Sequence, residues 1–286
     1  MTMFDSWAVF EQAVLESNYH QSQETLEHLA RRTASPSQAF ALAYQAAIVH
    51  LVPLLNPKQW AAFCVSETQG NHPRQLQAQA VLNAQSQIVV SGEKTFVTHG
   101  QHVRQLIVIA RSHLLEEQGR LRAYSLKKDT KGVEISESRP AGILPELDHG
   151  KLTLTEANAY QLEGDGHSDY SKRFRLLEDQ YMLAVFCWHI SAQLESLNIT
   201  NADFSLTPDT LVDQVKIQGS LDANQLINLA ALYEKFMKLS EEYLSALQGH
   251  SVIQQQWQRD SKLFLLAKKS RELRTSKARQ SLSQTS

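Results

Sequence analysis

The hydrophobic period of this chain changes twice, and that constrains its fold more than any single motif. Phe4, Trp7, Phe10 and Val14 recur every three or four residues, which is the spacing of one helical face. Leu26 and Leu29 continue the pattern, and Ser35-Pro36 opens a further helix through Phe40, Tyr44, Ile48 and Leu51. Asn56-Pro57 is expected to cap a short helical turn through Trp60 and Ala62. From Phe63 to about Ala159 the period falls to two. Strands are predicted over 87–90, 94–97, 105–110, 121–126, 132–135 and 151–155, with Leu152 and Leu154 alternating between Lys151, Thr153 and Thr155. A polar connection over 162–171 follows, and the helical period then holds to the end. Helices are expected over 173–196, from near Asp209, from Asp222 as N-cap to Gly249, and from His250 into the 270s. The layout predicts an α+β protein: a short N-terminal helical module (1–58), a central antiparallel β sandwich or barrel (59–161) and a C-terminal helical bundle (162–286).

Composition narrows the function classes. No apolar run approaches the roughly 18 residues of a membrane span; the longest, Ala46 to Leu55, is broken by His50 and Pro53. Met1 to Phe10 has no basic flank and carries Asp5, so no secretory signal is read there and a cytoplasmic protein is expected. Two cysteines, Cys64 and Cys187, make neither a disulfide framework nor a metal-ligand spacing. A net charge of -2 gives no case for nucleic-acid binding. His99 and His102 fall at a strand end and turn rather than on one helical face, so no metal is expected and both read as solvated or capping groups.

Within the β region two strand-to-turn segments stand out. Phe63-Cys64-Val65-Ser66-Glu67-Thr68-Gln69-Gly70 and Gly92-Glu93-Lys94-Thr95-Phe96-Val97-Thr98-His99-Gly100 each begin as a buried strand and end in small hydroxyl residues and Gly. Hydroxyls and backbone N–H groups that converge in this way suit a flat polar ligand. The same residues also suit the ends of a packed sheet, with Phe96 a core aromatic.

At these residues the chain resembles the acyl-CoA dehydrogenase family. The first segment is similar to that family's strand ending in Thr-Glu-Pro, the second to its Gly-x-Lys-x-aromatic-Ile-Thr-Asn-Gly, and Arg259-Asp260-Ser261-Lys262 to its Arg-Asp-Ala-Lys. The resemblance implies a β domain between two helical domains and FAD as cofactor. Val65 and Ser66 would bond the pyrimidine edge of the flavin; Phe96, Val97 and Thr98 would lie against its other side; Asn71 would stand near the pyrophosphate or substrate. It also implies an acyl-CoA thioester as partner and a homo-oligomer.

The chain departs from the pattern in specific places. Thr68 stands where Pro is expected and Asn71-His72 where Ser-Asp is expected. Lys268 occupies the position, counted from Arg259, where the family's catalytic Glu commonly sits; Glu195, Glu234 and Glu241 are alternative carboxylates. The family's Arg-Phe-Gly and Gly-Gly turns are not found between Arg173 and Gly249, and the N-terminal module is about half the expected length. Eight basic residues between Arg259 and Arg279 read as a solvated face, as a site for phosphates of a CoA thioester or flavin, or as a patch for an acidic partner surface. Two function classes therefore stand side by side. One is an FAD-dependent oxidation of an acyl thioester; the other is a non-catalytic family member that binds acyl-CoA or a protein.

Overall fold

Helix starts are set by side-chain caps written into the sequence. The computed structural model describes residues 2–137, 142–200 and 204–285. Ser6 accepts from the Val9 N–H and opens α1 (Trp7–Glu16); Ser22 accepts from the Thr25 N–H and opens α2 (Gln23–Ala30). α3 (Pro36–Leu51) begins with proline at its first position, as the sequence predicts. The expected turn through Ala62 is not helical. The Asn56 side chain instead accepts from the Lys58 N–H, and Ala62 lies in a strand, because Ala61–Cys64 find open backbone partners elsewhere in the sheet.

The strands are β1 (Ala61–Cys64), β2 (Gln79–Leu82), β3 (Ile88–Thr98), β4 (Gln105–Ser112), β5 (Leu121–Lys127), β6 (Val133–Glu137), β7 (His149–Asn158) and β8 (Tyr160–Gln161). Their order in one sheet is β6-β7-β3-β2-β4-β5-β8, with β1 also on β4. The sheet is mixed. β1 and β2 both run parallel to β4, while the remaining neighbours are antiparallel. Its core is built from Val90, Val97, Leu106, Val108, Tyr124, Leu126, Leu152 and Leu154, all at most 4 % exposed.

The connection after β8 is not a plain loop. Asp165 accepts from the His167 and Ser168 N–H groups and starts a π-helical stretch, Gly166–Lys172, that leads into α4 (Arg173–Ser196). Then come α5 (Pro208–Val212), α6 (Ala223–Ala246), α7 (Ser251–Asp260), α8 (Leu263–Leu266) and α9 (Lys268–Thr285). Asp222 and Gln225 form a reciprocal capping box at α6. The single last helix expected from the sequence is three, and the last of them continues through the polar tail.

Two compact units result. One takes the chain up to Ala46, Gly142–Leu144 and the chain from Leu176; the other takes the chain from Ala47 through β6 and Pro145–Arg175. In the first, Asp179 on α4 accepts from Arg271 at 3.2 Å and from Arg274, and the Arg271 guanidinium lies 4.0 Å from the Tyr233 ring centroid. Arg259 bonds Asp260, which also accepts from the Leu144 N–H at 2.6 Å. Three of the eight basic residues are thus held by buried carboxylates rather than spread over a solvated face. Among the described residues no helix is long and apolar enough to cross a membrane.

His189 tests the packing of this unit. It is 2 % exposed, its Nδ1 lies 2.8 Å from Thr33 Oγ1, and its ring stacks on Trp257. Thr33 Oγ1 donates to the Ala30 carbonyl, so it accepts from His189. Burial lowers the His189 pKa to about 4, only partly offset by the Thr33 backbone contact. Because the folded value lies below the unfolded one, the native state favours neutral imidazole, and that contribution is lost as pH falls through 6.5 toward 4. We expect stability to drop by about 2 kcal/mol between about pH 7 and pH 5 on this account. A His189→Gln variant should lose that part of the slope in urea titrations at the two pH values.

Candidate functional site

The two motifs meet where a strand is interrupted. β1 pairs with the first half of β4, ending at Cys64↔Val108. β2 rejoins the same edge at Gln79↔Arg111. Between them, residues 65–78 leave the sheet, and the backbone of Ile109 faces the gap. Lys94, on β3, fills it. Its ammonium donates to Ile109 O at 2.6 Å, to Val65 O at 3.3 Å and to Glu67 Oε1 at 2.6 Å, so its three N–H groups have three acceptors. Glu67 in turn accepts from the Gln77 N–H at 2.6 Å and the Ala78 N–H at 3.1 Å, at the point where the excursion returns. Lys94 is fully buried and Glu67 nearly so. Burial pulls the Lys94 ammonium below its ordinary pKa, while Glu67 pushes it back up. The Thr95 N–H bonds Ser66 O at 2.8 Å and fixes the start of the excursion beside β3.

A β-bulge then re-aims β3. Lys94 pairs with Leu152 and Val97 with Gly150, so Thr95 and Phe96 together oppose Lys151. The extra residue turns Phe96 away from the core, on the side of Thr98 and its cross-strand partner His149, which are themselves buried. Phe96 is consequently 42 % exposed, although its neighbour Val97 is fully buried in the core. The Phe96 and His149 ring centroids are 4.4 Å apart. Among the described residues the Thr98 and Ser66 hydroxyls make no hydrogen bond, and His149 Nδ1 is buried without a partner. Burial lowers the His149 pKa, opposed by Asp148 and reinforced by His99.

The turn after β3 is anchored by a carboxylate. His99 adopts a left-handed backbone, φ 61°, a conformation in which His, like Asn, is enriched. Its Nδ1 lies 3.0 Å from Asp148 Oδ1, and the Gln101 N–H donates to Asp148 Oδ2 at 2.6 Å. Burial alone would raise the Asp148 carboxyl; His99 and the Gln101 N–H outweigh it and hold it below the usual range. Of the two roles expected from the sequence, solvated or capping, His99 does not take the first: it is buried and anchors the turn.

This β unit matches a known domain. The family model described as "Acyl-CoA dehydrogenase, middle domain" matches residues 62–157, the span from β1 to the end of β7. These residues form an acyl-CoA dehydrogenase middle domain, and the chain has an acyl-CoA dehydrogenase-like fold. Its fold is that of the butyryl-CoA dehydrogenase of Megasphaera elsdenii (TM-score 0.62, 13% identity, 96% of this chain and 90% of that one). It also superposes on the prolyl acyl carrier protein oxidase AnaB (0.66, 13%, 94% and 88%) and on the FAD complex of PigA (0.63, 14%, 88% and 83%). No curated protein matches the chain by sequence.

In this fold the residues singled out by sequence have unequal positions. Ser66, Phe96 and Thr98 lie on adjacent segments tied by the Thr95–Ser66 bond, with half-buried Val65 beside them. The Val97 side chain points into the core, leaving only its backbone for a ligand. Asn71 is exposed, beyond the Glu67–Gly70 turn. Sequence reasoning missed His149, whose place opposite Thr98 depends on a strand register, and the Lys94–Glu67 pair, whose members are 27 positions apart. An outward aromatic ring, unspent hydroxyls and an orphaned buried ring nitrogen fit a flat polar group such as a flavin. The carboxylates considered as bases are less well placed. Glu195 is 67 % exposed and tied to Arg31, and Glu234, Glu241 and Lys268 are exposed.

Gly92 is the tightest point of the second motif. Its φ is 140°, and a Cβ there would stand 2.7 Å from the Ala78 backbone, which Glu67 holds in place. Gly92→Ala should therefore cost at least about 2 kcal/mol in chemical denaturation. An unchanged midpoint would mean that the excursion is looser than its bonds indicate.

Proposed function

We propose that the chain is an FAD-dependent oxidoreductase that acts on an acyl thioester, with the flavin ring lying on the face formed by Phe96, Thr98 and His149 and edged by Ser66. The observation that carries this reading is the bulge at Thr95–Phe96, which turns the Phe96 ring out beside Thr98, a buried residue whose hydroxyl has no hydrogen-bond partner among the described residues. Bound FAD would supply two-electron redox chemistry. Thr98 would place a hydroxyl at the ring edge, Phe96 would exclude water from one side, and Ser66 with the Val65 and Val97 backbone would orient the polar edge. A butyryl-CoA dehydrogenase, a prolyl acyl carrier protein oxidase and FAD-bound PigA share the fold, which supports a flavin and a thioester substrate. Assembly as a homo-oligomer and a cytoplasmic location belong to the same reading.

A second reading is favoured by the exposure of Glu195, Glu234 and Glu241. A carboxylate that takes a proton α to a thioester works best desolvated, and an acyl-CoA-binding or protein-interaction member without turnover needs none. Titration of the purified protein with FAD separates the two. We expect a yellow complex, and Thr98→Trp should weaken FAD binding by about tenfold or more. Protein that ignores added FAD overturns the flavin reading. Protein that binds FAD, yet leaves it oxidised when mixed anaerobically with acyl-CoA and acyl-carrier-protein thioesters, supports the non-catalytic one.

A further inference from the structure

The sheet has a gap that its own backbone does not close. β4 is paired by β1 as far as Val108 and by β2 from Arg111, and the Ile109 carbonyl between them faces the excursion 65–78. A strand would ordinarily supply a backbone N–H there. Here the donor is a side chain: Lys94 Nζ, 2.6 Å from Ile109 O. The same ammonium holds Val65 O at the departure of the excursion, and through Glu67 it reaches the Gln77 and Ala78 N–H groups at its return. One buried ion pair thus touches both ends of the segment and the strand beneath it.

We propose that Lys94 and Glu67 are positioning residues for the candidate site, replacing the missing strand contacts opposite Ile109 and so fixing where Ser66 and the N–H groups of the excursion are presented to a ligand. The site role rests on the reading that a ligand lies on this face; the locking of the excursion does not. A simple exchange for hydrophobic packing would fill the space but leave Ile109 O, the Gln77 N–H and the Ala78 N–H without their partners. The pair therefore sets conformation as well as occupying volume. Ser66 is the residue most directly affected. Its carbonyl is held by the Thr95 N–H, within the bulge, while Lys94 grips the residues on either side of it, Val65 and Glu67.

The test uses the full chain with Lys94→Met, which keeps length and removes the charge, and Glu67→Gln, a milder change that serves if the first variant fails to fold. Amide hydrogen exchange is measured without added ligand. Exchange at Glu67, Gly70, Gln77, Ala78 and Thr95 should accelerate by about tenfold or more, with α6 unchanged. Unchanged exchange at those amides overturns the inference, whether or not the wild-type protein binds FAD. Where the wild type does bind FAD, the variant should show a dissociation constant raised by about tenfold and a bound-flavin absorbance band that has lost its resolved shoulder. A variant that melts earlier but keeps the wild-type FAD affinity and band shape has a purely structural pair, which overturns the site role. Failure of the wild type to bind FAD removes the flavin reading and leaves the exchange measurement to decide the locking.

Discussion

The Lys94 ammonium is the contact on which the β unit depends. It sits in a fully buried place where the desolvation of a charge is costly, and it is tolerated there because every N–H it carries finds an oxygen. Its partners are not a random set. They are the carbonyl exposed by a break in the sheet, the first residue of the segment that made the break, and the carboxylate that holds the far end of that segment. Without such a group, β1 and β2 would share one edge of β4 with an unsatisfied carbonyl between them.

The bulge depends on this arrangement. Immediately after Lys94 the chain inserts one residue relative to β7, so Val97 takes over the inward position and Phe96 is turned out. Lys94, pinned on the core side, fixes the parity of β3 before the bulge, and Val97, packed in the core, fixes it after. The exposure of Phe96 is thus a consequence of two inward anchors that are three residues apart rather than two.

Much of the architecture was legible in the sequence because it is local. Period changes located α1 to α4 and most strands, and Asp222 announced the start of α6 through its own side chain. What escaped was nonlocal or parity-breaking. Gln79–Leu82 carries no clear alternation because its pairing is shared between β3 and β4, and the helical tail splits at Ser261 and Ala267 without proline or glycine. Alternation alone places Phe96 in the core together with Lys94; only the register against β7 turns it outward. The second motif could be matched to a family residue by residue, but which of its side chains enters the core, Val97, and which turns outward, Phe96, required the partner strand.

The interrupted strand has a further consequence. β1 and β2 are each indexed on β4 by their own ladder, so neither register depends on how many residues lie between them. The stretch from Thr68 to Arg74 touches neither ladder; it is held to the sheet by side chains, through Glu67 at its two ends and through Arg111 of β4, which donates to the Pro73 carbonyl at 2.8 Å. Residues can be gained or lost within it without shifting a strand. A fold built this way keeps its scaffold and its recognition loop as separable parts, and sequence drift in the second need not disturb the first.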